Sequence, residues 1–502
     1  MKRLLALFVA MLILMSVAYG EEAQYSMSGY DGESAQHDWN NNLFFTRMEE
    51  RTGVSFLFNQ FNDESQWKKH LQEMLNGAEM SEVLFKADLT DEETIDLYKA
   101  GILIDLRPYI ETAAPNLNAL LKKNPAWEKA ITLPDGAIVA LPCLNLLQSN
   151  DAMWINTQWL TYLKLDMPTT ADELTEVLRA FRDGDPNMNG KKDEIPLSFV
   201  SMWELRYLGH AFGINTSDYY VVADENGNVT SPLTEEKYRA FVEWLHLLWD
   251  EKLLSHDGFS TTDSMRQVTD KNATMTYGMF LSPSPIMLIP ESALKQYAVV
   301  EPLEYEGKKI YRELLGDVVR GTFAITKECA DPAKMLNWVD FLYTDEGCNM
   351  ALYGVEDTEY VWNEKGYWQW NDTMENVINV VMPGATIGEG GIIPGYISVE
   401  HQLKYDDETT RMTVEQLNKL KQYCVLPVPQ MMLGTEMANE ISEAQALLSP
   451  YVEDKLAAFV VGDIELTDEN WNNFMDGLKE NGLDDMISLW QGAMDVYGGN
   501  RK

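Results

Sequence analysis

Between Thr170 and Val200 three signals follow one another without a break. Thr170 and Glu173 form a T-x-x-E capping signature, and Leu174, Val177, Leu178 and Phe181 then recur at i, i+3, i+4, i+7. That spacing predicts an amphipathic helix with one face in a core. FRDGDPNMNGKKDEIPL (Phe181 to Leu197) follows, and PLSFV (Pro196 to Val200) reads as a buried strand. A helix that must stop, cross a polar loop and return as a strand points to an α/β sheet with crossover helices.

The same grammar recurs upstream and downstream. A helix is predicted over Asn42 to Arg51, carrying Leu43, Phe44 and Met48, ended by Gly53 and followed by the strand VSFLF. Asp63 with Gln66 resembles a capping box for a helix whose Trp67, Leu71, Met74 and Leu75 share a face. Gly77 closes it, and EVLF (Glu82 to Phe85) is a short buried strand. Further helices are predicted over Glu235 to Trp249 and after Thr467, where Trp471, Phe474, Met475 and Leu478 keep helical spacing. ADENGNV (Ala223 to Val229) reads as a hairpin turn. The Gly-rich GATIGEGGIIPGY (Gly384 to Tyr396) is the longest irregular stretch, of a kind that often lines sites.

The polar loop has the chemistry of a calcium site. Asp185, Asn187 and Asn189 occupy positions one, three and five of an EF-hand-like loop, and Gly190 stands where such a loop turns sharply. The Lys191 carbonyl falls at position seven and Asp193 at position nine. Position twelve is Pro196 instead of a bidentate Glu, leaving Glu194 as the nearby substitute. Asp, Asn and Gly also favour turns without any metal. Three carboxylates in so short a span, however, repel one another unless a cation compensates. The expected role is structural, since no nucleophile or general base is organised around the loop.

Charge narrows the partners. The 502 residues carry 39 Lys and Arg against 79 Asp and Glu, a net charge of -40. Nucleic acid and anionic membrane surfaces need a basic footprint and are poor partners; neutral ligands meet no such barrier. With six His, no H-E-x-x-H pair, no G-x-S-x-G elbow and no P-loop, the familiar hydrolase and nucleotide motifs are absent. A carboxylate pair for glycoside hydrolysis is a property of the fold and is not singled out by sequence.

The N-terminus, MKRLLALFVAMLILMSVAYGEEAQ, has a basic start, an apolar run from Leu4 to Met15 and small residues at Ala18 and Gly20. It reads as a signal peptide, residues 1–20, cut before Glu21, with no Cys beside the cut to carry a lipid anchor. A soluble exported protein, periplasmic or extracellular, is expected. Cys143, Cys329, Cys348 and Cys424 show no metal-like spacing and are read as buried free thiols.

Fourteen Trp and 23 Tyr are generous for the length. Trp39 in HDWNNN, Trp203 in SFVSMWELR and the group Tyr367, Trp368, Trp370 fall off the apolar faces. A flat ring flanked by polar groups suits stacking on the C–H face of a sugar. Trp203 follows a predicted strand end, where open α/β sheets place ligands.

The segment MWINTQWLTYLKLDMPTTADELTEVLRAFRDGDPNMNGKKDEIPL (Met153 to Leu197) resembles the extracellular solute-binding proteins, family 1, of ABC importers. The resemblance extends to the large calcium-carrying branch that includes alginate-binding proteins. FFTRMEERTGVSF, LPDGAIVALP, DPAKMLNWVDFLYTDEGCNMALYGVEDTEY and WNNFMDGLKENGLDDMISLWQGAMDVY carry it over nearly the whole mature chain. It implies a type II periplasmic-binding-protein-like α/β fold, with two lobes hinged about a ligand cleft. The N-terminal lobe would hold residues 21–148 and about 310–372; the C-terminal lobe would hold 149–309 and about 373–502, ending in a helical segment. Structural calcium would be held by Asp185, Asn187, Asn189, the Lys191 carbonyl, Asp193 and Glu194. Predicted loop positions nominate Trp39, Asp88, Asn150, Trp203, Tyr277, Arg320 and Tyr396 for the cleft.

Capture of an oligosaccharide, neutral given the acidity of the chain, by a monomer that delivers it to permease subunits is the function this resemblance implies. A secreted carbohydrate-active enzyme, or a binding protein for a peptide or another solute on the same fold, are the alternatives. Relatives from Gram-positive bacteria usually carry a lipobox Cys that this chain lacks.

Overall fold

A computed structural model describes residues 23–147, 150–267, 275–313 and 316–499; the expected signal peptide, residues 1–20, lies outside them. The chain divides into two compact units. One holds the described residues up to Asn145 together with Val319–Ile397, and the other holds Leu146–Val318 with the described residues from Ser398 onward.

The first unit is built on a six-stranded sheet. Its order is Gly395–Ile397, Ala140–Asn145, Val318–Ile325, Val83–Phe85, Ala23–Tyr30, Val54–Phe61. Ala23–Tyr30 runs parallel to both Val54–Phe61 and Val83–Phe85, whereas Val318–Ile325 is antiparallel to Val83–Phe85. The crossover helix between the first two strands is Leu43–Thr52, capped by the Asn42 side chain on the Phe44 amide and ended by Gly53 at φ 65°. That left-handed terminus is a conformation glycine adopts without strain. The next helix, Glu64–Leu75, opens on the Asp63 carboxylate, which accepts from the Gln66 amide, and buries Trp67, Leu71 and Met74.

The expected lobe boundary near residue 372 needs correction: the first unit extends to Ile397. The cause lies in the Gly-rich stretch, which ends as the strand Gly395–Ile397 paired in parallel with Ala140–Asn145. The other two crossings fall at Asn145/Leu146 and Val318/Val319, against the expected boundaries at 148/149 and about 309/310.

A four-stranded sheet organises the second unit, in the order Tyr297–Val299, Ala152–Asn156, Tyr277–Ser282, Ile195–Ser198. Only its last pair is parallel. Against it the Ala171–Asp183 helix buries Leu174, Val177, Leu178 and Phe181, the face expected from their spacing. Each such burial contributes roughly 1.5–3 kcal/mol. The Glu236–Asp250 helix buries Tyr238, Phe241, Leu245 and Leu248 and packs on the long Thr435–Val461 helix. Asp468–Glu480 and Leu483–Gly499 complete the helical C-terminal segment. Val222–Ala223 and Val229–Thr230 form the predicted hairpin, with the Asp224 carboxylate accepting from the amides of Asn226 and Asn228.

Two aromatic expectations are overturned. Trp368 is buried on the Tyr360–Trp362/Trp368–Trp370 hairpin, packed against Tyr353 and Tyr360. Trp39 is 1% exposed and surrounded by Phe45, Phe58 and Phe85. Its polar neighbours are helix caps: Asp38 accepts from the Asn40 amide, and Asn42 caps the following helix. The HDWNNN string therefore records local capping. All four cysteines are free, three buried and Cys424 half-buried.

Candidate functional site

The acidic loop leaves the Ala171–Asp183 helix at Gly184 and enters the strand at Ile195. The helix opens on the Thr170 hydroxyl, which accepts from the Glu173 amide, while Glu173 bonds Thr169 instead of closing the box on Thr170. In the loop, the Asp185 carboxylate accepts from the amides of Asn189 and Gly190. Asn187 and Asn189 donate their side-chain amides to Asp193 at 3.0 Å, which holds its carboxyl below the usual range. Glu194 behaves oppositely: burial, reinforced by Asp193 and Asp185, raises it, and its Oε1 is buried without a hydrogen-bond partner. Asp185, Met188 and Gly190 all have positive φ, at 48°, 57° and 73°. Among the described residues no three His, Cys, Asp or Glu side chains meet as a metal-holding group.

A second polar cluster in the same unit gathers around Tyr207, which the Trp203 ring touches. Trp203 lies on the short Ser201–Leu205 helix, just past the carboxyl end of the Ile195–Ser198 strand, and is 38% exposed. Ligands of α/β sheets bind at that end. Ser201, which opens the helix, is held at φ 54°, a strained value of the kind found at ligand sites. Trp203 meets Tyr207 edge-on with centroids 5.7 Å apart. The Arg312 guanidinium lies 5.4 Å over the Tyr207 ring and donates through Nη2 to Asp218 at 2.7 Å. Arg206 bonds the same carboxylate at 3.4 Å. Beside them Arg266 grips Glu204 with two bonds of 3.1 and 2.7 Å.

Several buried groups of this cluster lack partners. The Tyr207 hydroxyl, Nε and Nη1 of Arg312, and Nη1 of Arg206 are buried and accept or donate no hydrogen bond. Asp151, 5% exposed, precedes the Ala152–Asn156 strand; its carbonyl accepts from Tyr311, yet its carboxylate receives no hydrogen bond from any described residue. Burial lifts that carboxyl to about 6, with Asp263 adding to the shift and Arg266 and Arg312 opposing it. Burial likewise raises Glu204 to about 7 against the pull of Arg266. His210, whose Nδ1–H donates to the Tyr207 carbonyl at 2.6 Å, is pushed down to about 4 by burial and is neutral. Buried donors without partners near a carboxylate that accepts no hydrogen bond match the chemistry of a ligand group that both donates and accepts, as a hydroxyl does.

The other nominated residues fall as follows. Asn150 is buried next to Asp151 and donates to the Cys424 sulfur at 3.2 Å. Tyr277 is buried too, and its hydroxyl is committed to the Arg266 carbonyl at 2.5 Å, so it supports the cluster from behind. In the first unit, Arg320 makes a bidentate pair with Asp91, both bonds 2.7 Å. Tyr396 is half-buried within the Gly395–Ile397 strand. Asp88, at φ 45°, lines an open hollow of about 450 Å³ with Tyr30, Glu33, Glu64 and the backbone at Gly390–Ile392. Burial raises its carboxyl against the pull of Lys68.

The floor of that hollow is fastened from beneath. The Lys86 ammonium, fully buried, donates to Asp31 at 2.5 Å and to the carbonyls of Ile387 and Glu389 at 2.9 and 2.7 Å. His37 and Gln60 also bond the Asp31 carboxylate. Gly390, at φ 74°, leaves no space for a Cβ, which would meet the Asp31 carbonyl at 1.7 Å.

Asp151, Glu204, Arg266, Arg312 and Tyr207 escape sequence reasoning. The Arg266–Glu204 pair spans 62 residues and Arg312–Asp218 spans 94, and nothing local marks such partners. The available signal is adjacency, since Asp151 follows Asn150 and Glu204 follows Trp203.

Two discontinuous α/β units, each organised on its own sheet, make a fold shared with solved extracellular solute-binding proteins. The chain is 24% identical over 498 residues to the fructooligosaccharide ABC transporter substrate-binding protein FusA of Streptococcus pneumoniae, spanning 92% of this chain and 88% of that one. An extracellular solute-binding protein from Bifidobacterium longum subsp. infantis superposes with a TM-score of 0.75 at 20% identity, covering 95% and 98% of the two chains. An EF-hand mutant of FusA in complex with fructo-nystose gives 0.65 at 23%, covering 95% and 100%. The alginate-binding protein AlgQ2 without calcium ion gives 0.59 at 20%, covering 95% and 98%. No family model matches the chain. The resemblance read in the sequence is thus upheld, and these relatives are described as substrate-, solute- and alginate-binding proteins.

Proposed function

We propose that this protein captures a neutral oligosaccharide outside the cytoplasm and hands it to the permease subunits of an ABC transporter. The observation that carries this reading is the near full-length similarity to FusA. Its chemistry is supported by the polar cluster of the second unit: an accessible Trp203 ring, a buried Asp151 carboxylate that accepts no hydrogen bond from the described residues, and unpartnered donors on Tyr207 and Arg312. An aromatic face beside planar hydrogen-bonding groups suits a sugar ring. Asp151 and the net charge of -40 both disfavour a uronate polymer. Calorimetry against a panel of neutral and acidic oligosaccharides, fructo-nystose included, tests it. Binding of a neutral member at micromolar concentration is expected, and failure of the whole panel overturns the reading.

The acidic loop is proposed to hold calcium through Asp185, Asn187, Asn189, the Lys191 carbonyl, Asp193 and Glu194. Support comes from the buried, unpartnered Glu194 Oε1 and from the closely spaced Asp185 and Asp193 carboxylates, hard oxygens of the kind calcium takes. The ion would neutralise the loop and supply no chemistry to the ligand. Export through removal of residues 1–20 completes the proposal; among the described residues no helix is long and apolar enough to cross a membrane.

A further inference from the structure

We propose that capture of a neutral sugar at the polar cluster beside Trp203 expels a proton from Asp151, so that the protein binds tightly near neutral pH and lets go on acidification. The inference rests on the reading of the cluster as the sugar site and adds its regulation.

Asp151 is the only acidic side chain of the cluster that is both buried and without a hydrogen bond from the described residues; Glu204 accepts from Arg266 and from the Val200 amide, and Asp218 accepts from Arg206 and Arg312. The charged and titratable groups around it come from every packed element. Asp263 and Arg266 face it from the Asp263–Arg266 helix, Glu204 from the Ser201–Leu205 helix, Tyr207 from the following turn, and Tyr311 and Arg312 from their short strand. Desolvation is the largest influence, Asp263 adds to it and the two guanidiniums oppose it, so the carboxyl of the free protein is raised to about 6.

A sugar hydroxyl that donates to this carboxylate supplies the hydrogen bond the protein withholds. Hydrogen bonds to the ionised form favour it, so the ligand brings the carboxyl down toward the ordinary range. Binding near pH 6 must then release the proton that the free site shares with solvent. By linkage, affinity is fully present above the free-state value near 6 and falls as pH drops, by up to tenfold per pH unit until the bound-state value is reached.

The test is calorimetry with fructo-nystose, or whichever neutral glycan of the panel binds best, at pH 5 to 8 in buffers of differing protonation enthalpy. Expected are a proton release approaching half an equivalent near pH 6, almost none at pH 8, and affinity at pH 5 lower by several-fold to tenfold. Asp151→Asn should bind more weakly and lose both the proton release and the pH dependence. Asp263→Asn, on the rim, removes a repelling neighbour and should move the midpoint to lower pH while the linkage persists. Sugar binding that is independent of pH from 5 to 8, or proton release that survives in Asp151→Asn, overturns the inference alone. Failure of every panel member to bind at pH 7.5 overturns the sugar reading as well.

Discussion

Trp203 and Asp151 differ in what they cost the fold, and that difference is measurable. With 38% of its surface exposed, Trp203 contributes little to the core. Trp203→Ala should leave the melting temperature within about 2 °C while weakening glycan affinity roughly tenfold or more, the scale of one lost aromatic contact. Asp151 is expected to behave in the reverse sense toward stability. Its carboxyl is raised in the folded state, so folding is favoured by protonation, and the penalty is present above pH 6 and disappears as pH falls toward 4. Asp151→Asn should therefore melt no lower than the parent at pH 7.5, and higher if the neighbouring guanidiniums find new partners. If Asp151 binds as proposed, it is a group that destabilises its own fold, the outcome expected of selection for capture.

Elements were readable in the sequence wherever their signal is local. The Ala171–Asp183 helix announces itself by a cap and a repeat, and the structure buries the four residues on which the repeat falls. The acidic loop is equally local, every ligand proposed for calcium lying within ten residues. Trp39 shows the limit: HDWNNN marks caps, and only the fold reveals that Phe45, Phe58 and Phe85 close over the ring. The polar cluster was invisible because its pairings join residues tens of positions apart. At this scale the calcium proposal predicts that chelation lowers the melting temperature and that added Ca²⁺ restores it. An Asp185→Ala, Asp193→Ala double variant should melt low and ignore both treatments; a variant that melts like the parent and stays indifferent to chelator would remove calcium from the loop. Fructo-nystose affinity at saturating Ca²⁺ and in chelator should differ little. The Lys86 staple invites a second measurement. Lys86→Met leaves Asp31 buried without its cation and should destabilise by about 3–5 kcal/mol in urea unfolding, whereas Lys86→Met with Asp31→Leu should recover part of that loss.

For the whole molecule, the order of the chain and the order of the sheet disagree. The Val318–Ile325 strand stands between Ala140–Asn145 and Val83–Phe85 in the first unit's sheet, yet 172 residues of the second unit separate it from Asn145. Gly395–Ile397, at the sheet's edge, arrives later still. A ribosome that has made the first 300 residues has thus produced four strands of a sheet whose interior is missing. The Val83–Phe85 and Ala140–Asn145 strands both wait with unpaired edges, and the Lys86 ammonium waits for the carbonyls of Ile387 and Glu389. Pairings this distant fold slowly and leave aggregation-prone surface in the interval. A nascent chain in this state is a good client for a holdase and a good substrate for a translocation pore, because neither has to unfold it. A product truncated before residue 318 should be found in the insoluble or degraded fraction, whatever the integrity of the residues it retains.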